Sequence, residues 1–467
     1  MSMVRVVVMR AGWYTAFRRA RCMMALVRTT LLAAILLTAA TARGASYYVA
    51  KNGSDANPGS ETRPFQTIGR AIKAAGPGSE VVVRGGLYRE LVTIWSKRGS
   101  RAKPLIVRAY PGDHPIIDGQ GLKPKNALVE IGESQWVTFD GFEVRNSSRA
   151  GILLWSVKNS TIRRNTIHDC MKGGIHASGD HWGDTAYVVI DRNVIHHTVL
   201  ENRSRRASQW SQALGIEQSQ HVAITSNWVY KNFGEGVDYI GSDHGTIRRN
   251  RVWDNFSTNV YLDNAQTTTV DANLIYSSSD KVFYRDGSPA TGIMAANERY
   301  RRQNPLTDLV ITNNIVLWTR AAFYYRNAEY GRGLHRTIIA NNTFYSATWA
   351  LVVIDGAMLS LHLHDTTTVA NNIFYQRRNL PYTEGTSRGI TYRNNLWFGG
   401  AAGSRVRSDD DVDGDPKLVS AGGGKAEQYM LQPGSPAIDR GAPLSVVTRD
   451  YFEKARTARP DLGASER

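Results

Sequence analysis

Residues 224–253 read "ITSNWVYKNFGEGVDYIGSDHGTIRRNRVW", and two phrases inside this stretch share one form. "ITSNWVY" and "IRRNRVW" each run apolar, two residues, Asn, any residue, apolar, aromatic, and their asparagines, Asn227 and Asn250, stand 23 residues apart. Working outward, the phrase returns as "IRRNTIH", "VIDRNVIH", "VDANLIY", "ITNNIVL", "IANNTFY", "VANNIFY" and "YRNNLWF", with asparagines at 165, 193, 227, 250, 273, 314, 342, 372 and 395. A phrase that recurs nine times with a shortest spacing of 23 residues is an internal repeat.

Each unit is rich in β-branched and aromatic residues and alternates with period two, the pattern of short strands. A unit of this size cannot bury its own apolar face. Stacked coils bury a continuous core and pair parallel strands about 4.8 Å apart. The sequence therefore predicts an all-β fold, a parallel β-helix, right-handed by the handedness rule for parallel crossovers. The recurring Asn is expected at a turn, in the left-handed conformation, bonded to its counterparts above and below. Three residues on, His168, His196, Tyr230, Trp253, Tyr276, Tyr345, Tyr375 and Phe398 form a column read as structural stacking.

Residues 1–45 differ in composition: seven arginines, the apolar run "TTLLAAILLTAATA" and then small residues. That order predicts a signal peptide, and its apolar run is shorter than the roughly 20 residues that span a bilayer. A secreted or periplasmic protein without stable membrane insertion is expected. Of the formal charge of +16, the chain beyond residue 45 keeps +9, which suits an acidic polysaccharide. Arginines such as Arg163, Arg164, Arg248 and Arg249 read as solvated turn residues, so nucleic acid is not expected as a partner, and a monomer is. Cys170 is the one cysteine beyond the leader, which excludes an intramolecular disulfide there. "RPFQTIGRAIKAAGPG" spaces Phe65, Ile68, Ala71, Ile72 and Ala75 as a short helix capping the open end of the solenoid. The boundaries that follow are 1–45 leader, 46–95 N-terminal cap and first coils, 96–400 β-helix coils, and 401–467 C-terminal cap or tail.

Registering the strand upstream of each Asn gives "GILLWS", "GGIHAS", "LGIEQS", "EGVDYI", "TNVYLD", "TGIMAA", "AAFYYR" and "ALVVID". With the third residue inward in this register, the outward column reads Leu153, His176, Glu217, Asp238, Tyr261, Met294, Tyr324, Val353. Two residues on, a second column contains Trp155, Asp263 and Arg326. Glu217 and Asp238 would then lie on adjacent coils about 4.8 Å apart, where two carboxylates must share a proton or a cation. Oxygen ligands suit Ca²⁺ better than Zn²⁺.

The stretch "YYVAKNGSDANPGSETRPFQTIGRAIKAAGPGSEVVVRGGLYRE", residues 47–90, resembles the N-terminal segment of family 9 pectate lyases and related secreted β-helix proteins. The Asn-bearing repeats resemble the right-handed β-helix families around them. The resemblance implies polysaccharide chemistry, with Ca²⁺ held by an aspartate-rich cluster and a lysine as base; no lysine occurs in the aligned outward columns. The leading expectation is a polysaccharide lyase or epimerase-like enzyme on a uronate polymer. Glu217, Asp238 and Asp263 would hold Ca²⁺, and His176, Glu217, Asp238 and Tyr261 would supply catalysis. Trp155, Tyr324 and Arg326 would bind substrate. Two alternatives stay open: a glycoside hydrolase with a carboxylate pair, and a non-catalytic glycan-binding wall.

Overall fold

Alternating apolar residues give each coil one inward row per strand, and the rows of successive coils stack. Ile162, Ile190, Ile224, Ile247 and Val270 face one another in turn across parallel strands, all fully buried. Each such side chain contributes roughly 1.5–3 kcal/mol by leaving water, so the core is one unbroken column. This computed structural model describes residues 44–467 except Ala207, 299–304, 328–331, 357–363, Ala402, Arg405 and Arg407. The expected leader falls, but for its last two residues, outside that range. Among the described residues no helix is long and apolar enough to cross a membrane.

Among the described residues the strands form three long parallel sheets of 13, 11 and 13 strands, joined coil by coil, and a two-stranded accessory sheet. The fold is a right-handed parallel β-helix, as the repeat predicts. Helix α1 (Ile68–Ala74) covers its first end, with Ile68, Ala71 and Ile72 buried. The Thr67 side chain accepts from Arg70 N, and Glu90 accepts from Ile68 N and Gly69 N at 2.9 and 3.0 Å. Three of the amides that a helix start leaves without intrahelical partners are so satisfied. Phe65 precedes the helix and packs into the core from extended chain.

The asparagine ladder forms. Asn227 N and Nδ2 both donate to Asn250 Oδ1, at 2.9 and 3.0 Å, and Asn250 repeats the pair of bonds to Asn273. The conformation expected of these residues belongs to their predecessors. Arg164, Arg192, Ser226, Arg249, Ala272, Asn313, Asn341, Asn371 and Asn394 carry the positive φ, between 51° and 57°. The residue before turns the chain, and the ladder Asn points its amide into the corner. The outward column also stacks, with Tyr230 and Trp253 centroids 4.1 Å apart and Trp253 and Tyr276 5.4 Å apart.

Residues 401–467 do more than close the end. After a last rung at Val412–Asp413, the tail returns along the outside of the helix, where Leu418, Tyr429 and Leu462 pack against Leu274, Ile315 and Ile373. Arg248 holds Glu453 at 2.7 Å, and Ala464 N donates to Thr343 Oγ1. The tail covers the wall carrying the aromatic column, and Ser404 O accepts from Thr383 N and Oγ1 at the last strand of the eleven-stranded sheet.

Candidate active site on the eleven-stranded sheet

The eleven-stranded sheet is built, in chain order, from β1 (Val92–Trp95), β2 (Ala127–Gly132), β3 (Ala150–Trp155), β4 (Ile175–Ser178), β5 (Leu214–Glu217), β6 (Val237–Ile240), β7 (Thr258–Asp263), β8 (Thr291–Ala296), β9 (Phe323–Arg326), β10 (Val352–Ile354) and β11 (Thr383–Gly385). In β6 the sequence "VDYI" sends Val237 and Tyr239 into the core, and Tyr239 anchors its hydroxyl on Asp243 O at 2.8 Å. Alternation then puts Asp238 on the outer face.

The register across this sheet corrects one column assignment. Leu214, not Ile216, pairs with Ile175 and Val237, so Gly215 lies between His176 and Asp238, and Glu217 pairs with Ile240. Glu217 is therefore not the neighbour of Asp238. The reason is that Leu214 and Ile216 both face inward; a slip of two residues keeps every side chain on its face, so the apolar pattern cannot detect it. Glu217 instead meets His176, Nε2 to Oε2 3.4 Å. The other positions hold: Asp238 pairs with Tyr261, Tyr261 with Met294 and Met294 with Tyr324, while Ile240, Asp263, Ala296 and Arg326 form the second column.

Facing outward does not expose these groups. Asp238 is 1% exposed, Tyr261 3% and Asp263 7%. Glu235, three residues before Asp238, and Glu298, just beyond β8, complete the cluster. Tyr261 Oη donates to Glu298 Oε1 at 2.6 Å, Arg326 Nη1 reaches the same oxygen at 3.3 Å, and Asn264 Nδ2 donates to Glu298 O at 2.7 Å. The Glu235 and Asp238 carboxyl groups lie close enough to share a proton. Two carboxyl groups can do so only if one keeps its proton. Asp238 is that one: burial, then the charges of Glu235 and Asp263, raise it well above the carboxylate range. Burial and then Glu298 push Glu235 up to about 7 and Asp263 up to about 8.

Asp238 Oδ1 and Asp263 Oδ1 are buried without a hydrogen-bond partner among the described residues. Such oxygens are costly unless something else meets them. The trio expected to bind Ca²⁺ is not assembled, because the register removes Glu217 from it. Among the described residues no group of three His, Cys, Asp or Glu side chains is placed to hold a metal ion. His176 stands two coils from Asp238, with Gly215 between them. Trp155 is on β3, three coils away, and its Nε1 lies 3.4 Å from Asp180 Oδ2. Tyr324 donates to Asp355 Oδ2 at 3.1 Å. Next to the cluster is a recess of about 230 Å³ lined by Arg285, Arg320, Arg326, Tyr324 and Met294.

The model of the family described as "Pel9A-like, right handed beta helix region" matches residues 47–273, and that of "Right handed beta helix region" matches 182–374. Over residues 47–273 the chain is similar to the Pel9A-like right-handed β-helix family. Pectate lyase PEL9 of Emericella nidulans is 28% identical over 149 residues, which are 29% of this chain and 36% of that relative, so the chain matches about a third of the relative's length. Among solved structures, pectate lyase Pel9A superposes with a TM-score of 0.55 at 16% identity, covering 91% of this chain and 98% of the other. The complex of XylC with xylose gives 0.61 at 13% identity, covering 90% and 98%. At these identities the superpositions establish the fold.

Within this β-helix, sequence reasoning missed Glu235 and Glu298. Glu235 is in the quoted "EGVDYI", and its spacing from Asp238 across Gly236 was a usable signal. Glu298 follows the end of β8 in the longest interval between repeats, and no strand periodicity reaches it.

Proposed function

We propose that this chain cleaves a uronate-containing polysaccharide by β-elimination at the Glu235–Asp238–Asp263 cluster. The supporting observation is the pairing of a protonated Asp238 with Glu235 beside the arginine-lined recess. Removing the C5 proton of a uronate requires the developing charge on its carboxylate to be met. Protonated Asp263 donates a hydrogen bond there, and Arg326 supplies positive charge. Glu235, raised to about 7, is matched to abstracting the proton near neutral pH. Asp238 passes its proton to the departing glycosidic oxygen as the C4–O bond breaks and the C4–C5 double bond forms. The pair starts and ends with one proton, so the step balances.

A neighbouring acid and carboxylate also suit glycoside hydrolysis, and the assay separates the two. Purified protein is incubated with polygalacturonate, alginate and glycosaminoglycans, with and without chelator, while ultraviolet absorbance and reducing ends are followed. Elimination gives an absorbing unsaturated product from at least one polyuronate, unchanged by chelator. Reducing ends without absorbance select hydrolysis. Binding without turnover of any polymer overturns the enzymatic reading, and loss of product on chelation assigns the charge neutralisation to a cation.

A further inference from the structure

We infer that a second recess on the same sheet, three coils before Asp238, is a subsite that binds an acidic sugar unit of the polymer. It deepens the reading above, on which its place in a substrate path rests. The recess has a volume of about 520 Å³, within the range of small-molecule sites, and is bounded by Trp95, Trp155, Leu153, Lys125, Arg149 and His176.

Three features make it a site for an acidic sugar. The first is the seat of its indoles. Gly132 on β2 pairs with Trp95 on one side and Trp155 on the other. A Cβ at Gly132 would fall 2.1 Å from the Trp95 ring, so the missing side chain lets that indole lie down on the sheet. Trp95 is nonetheless 38% exposed, which leaves part of an aromatic surface for the ligand. Polarised C–H edges of a sugar ring suit the negative face of such a ring.

The second feature is charge. Lys125 and Arg149 are exposed and have no carboxylate partner among the described residues, whereas Lys172, which also lines the recess, is paired with Glu201. Two unpaired cations beside two indoles select a carboxylate-bearing ring over a neutral one. The segment carrying Lys125 is fixed, because Asn126 N and Ala127 N both donate to Glu130 Oε1 at 3.2 Å.

The third feature is continuity. Leu153, His176, Gly215 and Asp238 occupy successive coils of one outward column. At about 4.8 Å per coil, Leu153 and Asp238 are about 14 Å apart, within reach of a short oligosaccharide. Gly215 carries no side chain of its own, and the His176 ring and the Gln212 side chain lie over it, 3.0 and 3.2 Å from where a Cβ would stand, so polar groups line the way from the recess toward the acidic cluster. The polymer would run along the sheet with an acidic unit held by the tryptophans while another meets Asp238.

The test uses the full chain carrying Asp238→Asn, to stop turnover, and titrates oligomers of galacturonic acid and of guluronic acid against its tryptophan fluorescence. An uncharged xylan oligomer of equal length is the control. Lys125→Ala and Arg149→Ala, both at exposed positions, should each weaken binding of one acidic oligomer about tenfold and leave the uncharged oligomer unaffected. Lys123→Ala, a nearby charge outside the lining, should change neither. Acidic oligomers that do not bind, or that bind equally well without Lys125 and Arg149, overturn the subsite. Failure of the lyase reading looks different: no polyuronate is cleaved, yet the charge-dependent binding persists. If the wild type cleaves and the two variants bind as their parent does, the subsite fails and the lyase reading stands.

Discussion

Glu235 and Asp238 stand close enough to share one proton between their carboxyl groups, on a face where Asp238 is almost completely removed from solvent. Around them, Asp263 is also raised, while Glu298 is held by Tyr261 and Arg326. The sheet thus holds a protonated acid and a base side by side, with arginines at the adjacent recess. Burial sustains the arrangement, because each carboxylate placed there raises the cost of ionising the next.

Replacing either member of the pair should remove the chemistry while sparing substrate binding. Glu235→Gln takes away the base and is expected to lower kcat by about 10²–10⁴-fold with little change in KM. Steady-state kinetics on the best polyuronate checks this. A rise in KM at constant kcat would make Glu235 a binding group only.

The pH profile follows from the same groups. Glu235 must be ionised and Asp263 protonated, so kcat/KM should rise as pH passes about 7 and fall once it exceeds about 8. A rate that keeps climbing well above that window would contradict the role given to Asp263.

Stability should carry the opposite trace of Asp263. Its folded pKa lies above the unfolded value of about 3.9, so the folded state binds more protons between the two. Stability is therefore lost as pH rises through that interval. Asp263→Asn removes this slope: the variant should have the higher Tm above about pH 8, with the gap closing toward about pH 4. Thermal melts across the range test the sign.

The corrected register makes its own prediction. Glu217 pairs with Ile240, outside the acidic cluster, whereas Asp263 is inside it. Glu217→Ala should keep the parent kcat, and Asp263→Ala should lose it. Equal losses in both would restore Glu217 to the centre.

The ladder supports the coils that carry this sheet. Asn250 bonds to the coils on both sides and is buried. Asn250→Ala strands those partners and is expected to destabilise by about 1–3 kcal/mol, seen as a lower urea midpoint at unchanged slope.

The fold was legible because its signals are local and repeated. Period-two alternation and the Asn phrase specify coil after coil, and "RPFQTIGRAIKAAGPG" announced the capping helix. The site was legible in part. Asp238, Tyr261, Asp263 and Arg326 fell on the right columns because the apolar residues beside them fix the phase. Glu217 did not, since "LGIEQS" offers two inward residues and no pattern prefers one. Glu298 enters from beyond a strand end, and the path of the tail along the outer wall depends on contacts such as Tyr429 with the aromatic column, which no repeat encodes.

The most direct measurement is mass analysis of the ends produced from a uronate oligomer by the wild type and by Asp238→Asn. The account predicts that the wild type yields unsaturated ends lighter by one water than hydrolytic ends, and that the variant yields none. Saturated products from the wild type, or unsaturated ends formed equally well by Asp238→Asn, would contradict it.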